Sequence, residues 1–192
     1  MWSIWNIFKR GKWSSTNNLL RLYALQHRGQ ESAGISVSNF GEIVTYKGMG
    51  LTADVFTPET LNNLVGNAAI GHVRYSTTGA SKLENAQPLE SRYKLGQIAV
   101  AHNGNLTNAK IIRELLEDAG STFNTSIDSE VIIKMIARKA NGNVEDAIRS
   151  TVGAIKGAYA LVILAGNKLV GVRDPYGIRP LCLGINENGD LF

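Results

Sequence analysis

The sequence predicts an α+β domain, with helices packed on antiparallel sheets. Three observations carry that expectation. Strand-like runs come in hairpin-like groups toward both ends of the chain. Helical patterns cluster between them. Strand and helix do not alternate simply, as a wholly parallel sheet would require.

The elements follow in order. Asn17 or Asn18 caps a short helix carrying Leu19, Leu20, Leu22, Tyr23 and Leu25. Strands at residues 34–38 and 43–46 come next, with Asn39, Phe40 and Gly41 as a hairpin turn. Thr57-Pro58-Glu59 starts a helix, with proline at its first position. Residues 68–73 and 97–101 read as strands separated by a polar loop. Thr107 caps a helix with Ile111, Ile112, Leu115 and Leu116 on one face, and Gly120 ends it. Asp128 precedes a second helix with Ile132, Met135 and Ile136 at core spacing. Asn143 opens a third through Val144, Ala147, Ile148, Val152 and Ile155, closed by Gly157. Residues 158–164 form a continuous apolar run of strand length. Residues 169–172 and 181–185 are further strands around an Asp174-Pro175-Tyr176-Gly177 turn. There is no internal repeat or linker, and the ending reads as a hairpin cut in its second strand.

Composition narrows the function classes. With 192 residues and 44% hydrophobic content, one domain can bury a core, and wholesale disorder is excluded. No apolar run reaches the roughly 18 residues of a spanning helix, and residues 1–8 lack the basic start of a secretory signal. The one cysteine, Cys182, excludes an internal disulfide and a cysteine-built metal site; a cytoplasmic setting is expected. Of 20 basic residues, Lys9, Arg10 and Lys12 lie in the first 18 positions, which hold no acid; the remaining 17 face 16 acidic residues. The pI near 9.2 therefore does not describe a nucleic-acid-binding face. Trp2, Trp5 and Trp13, all the tryptophans, fall in the same segment. The chain thus divides into residues 1–18, atypical, and 19–192, regular.

Chemistry-bearing residues sit at junctions. His27, His72 and His102 each occur in a polar, Gly-containing stretch, no two of them at helical ligand spacing and no acid partnering them, so they read as hydrogen-bonded residues near strand ends, not as a zinc site. Arg74 lies just past a strand end, before Tyr75, Ser76 and Thr77. Its guanidinium fork suits a ligand carboxylate, and equally a surface ion pair. Asn103-Gly104 offers two donors of an oxyanion hole; taken alone, the dipeptide favours a type I′ turn. Asp128 reads on spacing as a helix N-cap whose second oxygen could accept an ammonium. Cys182, between Leu181 and Leu183, reads as a small core residue with nothing to activate it.

Taken together, these stretches carry a resemblance. Leu25-Gln26-His27-Arg28-Gly29-Gln30-Glu31-Ser32-Ala33-Gly34-Ile35, Gly71-His72-Val73-Arg74-Tyr75-Ser76-Thr77, Asn85-Ala86-Gln87-Pro88-Leu89, Ala101-His102-Asn103-Gly104-Asn105-Leu106, Ser126-Ile127-Asp128-Ser129-Glu130 and Asp174-Pro175-Tyr176-Gly177-Ile178-Arg179-Pro180-Leu181 occur in this order. Over residues 19–192 the chain resembles the glutaminase domain of the amidophosphoribosyltransferase family, which opens purine synthesis. Gln26 and Tyr75 favour that family over the related glucosamine-phosphate synthases.

The resemblance implies a four-layer αββα sandwich of antiparallel sheets, of the N-terminal-nucleophile hydrolase type. It implies that a cysteine at the mature N-terminus attacks the side-chain amide of L-glutamine, with its own amine as base. Arg74 would hold the substrate carboxylate with Thr77 beside it, Asp128 the ammonium, and Asn103 and Gly104 the oxyanion. One small amino acid must touch both, so Arg74 and Asp128 are expected on one pocket. No cofactor is expected in this domain; Mg²⁺ would belong to the phosphoribosyltransferase domain that consumes the ammonia. That domain is absent from this sequence, and the oligomeric state is left open.

The sequence departs from the family at its start. The family opens with a stretch such as Cys-Gly-Val-Phe-Gly-Ile, where this chain has Met1-Trp2-Ser3-Ile4-Trp5-Asn6-Ile7. Ser3 lacks a free amine and is no substitute. The codons GAA TGT GGA GTA TTT GGA, read from the last base of GAA, give Met-Trp-Ser-Ile-Trp and begin an Asn codon. The expectation is that residues 1 to about 16 are the family's first strand read out of frame, and that the chain as given is inactive. A poorly packed segment, a gap at the first strand and an open sheet edge are expected with it.

Overall fold

The computed structural model describes residues 2–7, 14–75, 80–187 and 189–192, with side chains from residue 19 onward. Two four-stranded antiparallel sheets form the centre. The first contains β1 (Trp2–Ile7), β2 (Ser32–Asn39), β3 (Glu42–Met49) and β4 (Ala68–Arg74), in the order β1-β4-β2-β3. The second contains β5 (Leu89–Tyr93), β6 (Gly96–Leu106), β7 (Gly157–Ala165) and β8 (Lys168–Arg173), in sequence order. The helices are α1 (Ser14–Leu25), α2 (Thr52–Val55), α3 (Pro58–Asn62), α4 (Ala109–Asp118), α5 (Ser129–Lys139) and α6 (Val144–Val152).

Burial sorts these elements into layers. Leu22 of α1, Val55 of α2, and Phe56 and Leu64 pack on Ala33, Ile35, Val37, Ala69 and Val73 of the first sheet. The two sheets meet through Ile43, Ala68, Ile70, Ala99, Ala101, Val162 and Leu164. On the far side, Ile98, Val100, Leu106, Leu161 and Ile163 pack against Ile112, Ile132, Ile136 and Ile148 from α4, α5 and α6. The result is the αββα sandwich that the family resemblance implied, with helices outside and sheets within.

Strand alternation then fixes which residues face inward. On β4, Ala69 and Val73 face α1 while Ala68 and Ile70 face the second sheet, which places His72 and Arg74 on that inner face. On β6, Ala99 and Ala101 face inward, and Asn103 continues their row. Ser38 Oγ donates to Gly166 O at 2.7 Å, and Gln97 Oε1 accepts the Ile43 N–H at 2.9 Å. These contacts tie the end of β2, where Ser38 pairs with Ala68 at the start of β4, and the start of β3 to the start of β6 and the β7–β8 turn, so β4 and β6 set out from the same end of the sandwich.

Several local readings match the structure. The β2–β3 hairpin turns at Phe40 (φ 50°) and Gly41 (φ 97°), the two positive angles of a I′ turn. The Thr57 side chain accepts the Thr60 N–H and Asn143 accepts the Asp146 N–H, capping α3 and α6. Gly120 closes α4, donating to Glu117 O while Ser121 N–H reaches Leu116 O.

Other readings are corrected. Thr107 does not cap α4; the helix starts after Asn108, whose side chain instead binds Ala154 O and the Lys156 N–H. Gly157 does not close α6, which ends at Val152; it opens β7, where a Cβ would stand 2.2 Å from Asn105 O. Residues 181–185 form no strand beyond one Ile185–Leu191 bridge, so Cys182 is exposed and outside the core. That bridge does place the chain's last residues in a small hairpin. α1 begins at Ser14, and the cap proposed at Asn17 or Asn18 lies outside the described side chains. β5 and α2 were not foreseen.

The expected gap at the first strand is also corrected. β1 pairs antiparallel with β4 from Trp2↔Val73 to Ile7↔Ala68, and β4 is flanked on both sides. A β ladder is made of backbone groups, and Trp and Ile have high strand propensity, so altered side chains need not empty the slot. The packing of those side chains lies outside the described residues. Among the described residues, no helix is long and apolar enough to cross a membrane.

One buried residue gives the fold an acid-sensitive point. His72 is fully buried, and burial pushes its pKa down to about 3, outweighing a weak contact with the His102 backbone that favours the charged form. The unfolded chain therefore binds a proton near pH 6.5 that the folded chain refuses until about 3. Stability from this group is fully present above pH 6.5 and falls as the pH drops toward 3, by up to about 1.4 kcal/mol per pH unit. His72→Leu should flatten that slope and raise stability near pH 5. Urea unfolding at pH 7, 6, 5 and 4 checks this; parallel wild-type and variant slopes would refute it.

Candidate active site

Arg74 ends β4, where its backbone and its side chain are held separately. Its carbonyl accepts the Glu31 N–H at 3.0 Å, and its Nη1 donates to Glu31 Oε1. The Arg74 side chain is fully buried, and that of Glu31 is 16% exposed. Gly29 makes the approach possible, because a Cβ there would lie 2.6 Å from the Val73 carbonyl carbon. The arginine therefore forms a buried ion pair, not a surface one. One Nη is committed to Glu31, in a guanidinium with five N–H donors. Thr77 lies outside the described residues.

Asn103 and Gly104 lie inside β6, not at a hairpin turn, opposite Ala160 and Tyr159 of β7. Gly104 has φ 152°, and a Cβ on it would stand 2.0 Å from Ala158 O. The direction of its N–H follows from its neighbour. Tyr159 gives its N–H to Asp174 Oδ2 and takes the Asp174 N–H on its carbonyl, so it faces β8. Gly104 N–H must then point to the other edge of β6. That edge is open, because β5 pairs no further along β6 than Leu89↔Val100. Along it the His102 N–H goes to Gln87 Oε1 at 2.7 Å and the Leu106 N–H to Asp128 Oδ2 at 2.9 Å. Gly104 N–H lies between them. The Asn103 side chain is buried, and its Oδ1 meets no hydrogen-bond donor.

Asp128 precedes α5 but makes no side-chain cap on it. Its carboxylate turns to the β6 edge instead. Oδ2 accepts from Leu106, and Oδ1 stands 3.6 Å from His102 Nδ1 and 3.5 Å from Ser129 Oγ. Burial pushes its pKa up, but His102 and the Leu106 N–H outweigh that and hold it below the usual carboxylate range.

The structure brings Asp128 to the β6 edge that carries Gly104, and sets Arg74 at the end of β4 on the inner face that Asn103 shares. Sequence reasoning missed the residues that hold them: Glu31 on Arg74, and His102, Gln87 and Ser129 around Asp128. The signal was present, since each lies in one of the motifs that carry the family resemblance. Among the described residues, no three of His, Cys, Asp and Glu gather as a metal site. Asp174 is structural, accepting N–H groups from Tyr159, Tyr176, Ile178 and Arg179.

The fold is that of the N-terminal-nucleophile hydrolases. Residues 72–192 match the family described as glutamine amidotransferase domain, and the chain belongs to that family. It is 51% identical over 162 residues to an amidophosphoribosyltransferase of Methanothermobacter thermautotrophicus, covering 83% of this chain and 34% of that protein. It is 47% identical over 176 residues to the chloroplastic amidophosphoribosyltransferase 3 of Arabidopsis thaliana, covering 92% and 33%. The structure superposes on the glutamine phosphoribosylpyrophosphate amidotransferase of B. subtilis, solved with ADP and GMP, with TM-score 0.90 and 37% identity. That match covers 99% of this chain and 41% of the other. The chain thus spans about a third of the length of these curated relatives.

Proposed function

We propose that this chain is the glutamine-binding, ammonia-releasing part of an amidophosphoribosyltransferase. In a longer protein the ammonia would pass to a phosphoribosyltransferase part, which would use phosphoribosyl pyrophosphate and Mg²⁺ to make phosphoribosylamine for purine synthesis. The glutaminase part would need no cofactor, and the setting would be cytoplasmic. The observation that carries the reading is the open edge of β6, where Gly104 N–H faces outward one step from the Asp128 carboxylate.

In this reading glutamine binds with its carboxylate toward Arg74 and its ammonium on Asp128 Oδ1. Gly104 N–H, with the Asn103 side chain beside it, polarises the side-chain carbonyl and receives the negative charge that grows on its oxygen when a thiolate attacks. The thiolate would come from the start of β1, which lies opposite Val73, one residue from Arg74. In the chain as given that position holds no cysteine. The one thiol, Cys182, is exposed in the segment after β8.

The chain as given should therefore bind L-glutamine without hydrolysing it. Calorimetry with L-glutamine and D-glutamine, together with a glutamate-release assay, tests both halves. Failure to bind L-glutamine would end the reading. Release abolished by Cys182→Ser would move the nucleophile to the tail. Replacing residues 1–16 by the other-frame translation, processed to a free N-terminal cysteine, should produce glutaminase activity; an inert product would reject the frame account.

A further inference from the structure

The Asp128 carboxylate is held by groups that the proposed chemistry does not use. Resting on the reading that this carboxylate receives the ammonium of glutamine, we propose that His102 is its positioning residue, acting through Ser129, with Gln87 locking both.

The contacts close a ring. His102 is fully buried, with Nδ1 3.0 Å from Ser129 Oγ and 3.6 Å from Asp128 Oδ1. Ser129, 1% exposed, sits 3.5 Å from the same Oδ1. Gln87 accepts the His102 N–H on Oε1 at 2.7 Å and donates from Nε2 to Ser129 Oγ at 3.2 Å. A hydroxyl gives one hydrogen and accepts two. With Gln87 filling one lone pair of Ser129 and the Ser129 hydrogen on Asp128, the remaining lone pair accepts the Nδ1–H of His102. That places a hydrogen on Nδ1 of His102. Its buried Nε2 meets no hydrogen-bond partner.

The ring therefore aims the Ser129 hydroxyl at Oδ1, with His102 and Gln87 orienting it. Oδ2 is already committed to the Leu106 N–H, so Oδ1 is the oxygen an incoming ammonium meets. Neighbouring charges do not share the task. Arg113 donates to the Thr125 and Ile127 carbonyls. Glu130 accepts from the Asn124 and Thr125 N–H groups and pairs with Lys134. His102 is the one titratable side chain within ion-pair distance of the Asp128 carboxylate among the described residues.

The test is a carbon-13 NMR titration of the Asp128 carboxyl in the chain as given, in His102→Leu, in His102→Asn and in Ser129→Ala. Thermal melts confirm that each variant folds. His102→Leu should raise the Asp128 midpoint. His102→Asn, whose side-chain amide can stand where Nδ1 stood, should restore most of the wild-type value. L-glutamine Kd should rise roughly tenfold in His102→Leu and recover in His102→Asn. If His102→Leu does not fold, Ser129→Ala decides, with a shift in the same direction. An Asp128 midpoint that is unchanged in the folded variants overturns the proposal. Wild-type chain that binds no glutamine would sink the glutamine reading, while the titration would still decide whether His102 governs this carboxylate.

Discussion

Gly104→Ala should leave a chain that folds poorly or not at all, a larger effect than any other single methyl group in the site would have. Two costs coincide at this position. At φ 152° the backbone occupies a region that is essentially reserved for glycine, worth about 1–3 kcal/mol to any other residue. The added Cβ would also stand 2.0 Å from Ala158 O, a backbone atom in the β6–β7 ladder that cannot swing aside. Overpacking of that kind costs roughly 1–3 kcal/mol, and more where neighbours are rigid. Together they approach the whole stability of an ordinary domain. Urea denaturation should show a loss of about 2–6 kcal/mol, or no folded protein. Gly96→Ala is the control: its φ is also positive (116°), but a Cβ added there meets nothing within 4 Å, so only the backbone cost applies. Equal losses at the two sites would show that the close approach at Gly104 does not matter.

Arg74→Met should remove glutamine binding and destabilise the fold at once. The ion pair with Glu31 is buried on the arginine side and 16% exposed on the carboxylate side. Deleting one partner of a buried pair typically costs about 3–5 kcal/mol, because the other charge stays behind. The two consequences can be separated. Arg74→Met combined with Glu31→Leu replaces the pair with apolar side chains and should regain most of the stability. Glutamine binding should stay weakened by roughly ten- to a hundredfold, the worth of a charge-assisted contact to the substrate carboxylate. A double variant that is stable and still binds glutamine like the wild type would show that Arg74 serves the fold alone.

What the sequence disclosed depended on how local the deciding force was. The long apolar run in β7 and the alternating faces of α4, α5 and α6 are set by periodicity, and they were legible. So were the Asn143 cap and the Phe40-Gly41 turn, which neighbouring residues decide. Asn103-Gly104 misled because the dipeptide preference for a turn lost to distant pairing with Ala160 and Tyr159. Asp128 misled in the same way, since the Leu106 N–H, 22 positions away, claimed the oxygen that a cap would have used. Residues 181–185 have strand composition but no partner strand, which left Cys182 at the surface. β5 escaped notice because its exposed Glu90 and Arg92 mask the inward row of Leu89, Ser91 and Tyr93. At the site, the residues that would meet a ligand were nameable from the motifs. The contacts of Glu31, Gln87, His102 and Ser129 were not, because each is made across 15 to 43 positions of chain.

The inner row of β4 runs from Ala68 and Ile70, packed between the sheets, to His72 and Arg74, and the row of β6 runs from Ala99 and Ala101 to Asn103. One stretch of chain thus carries two inheritances, laid end to end. The aliphatic end specifies shape alone, while at the chemical end Arg74 serves shape and chemistry at once, so a lineage built on this frame changes its reaction there only by replacing Arg74 and Glu31 together.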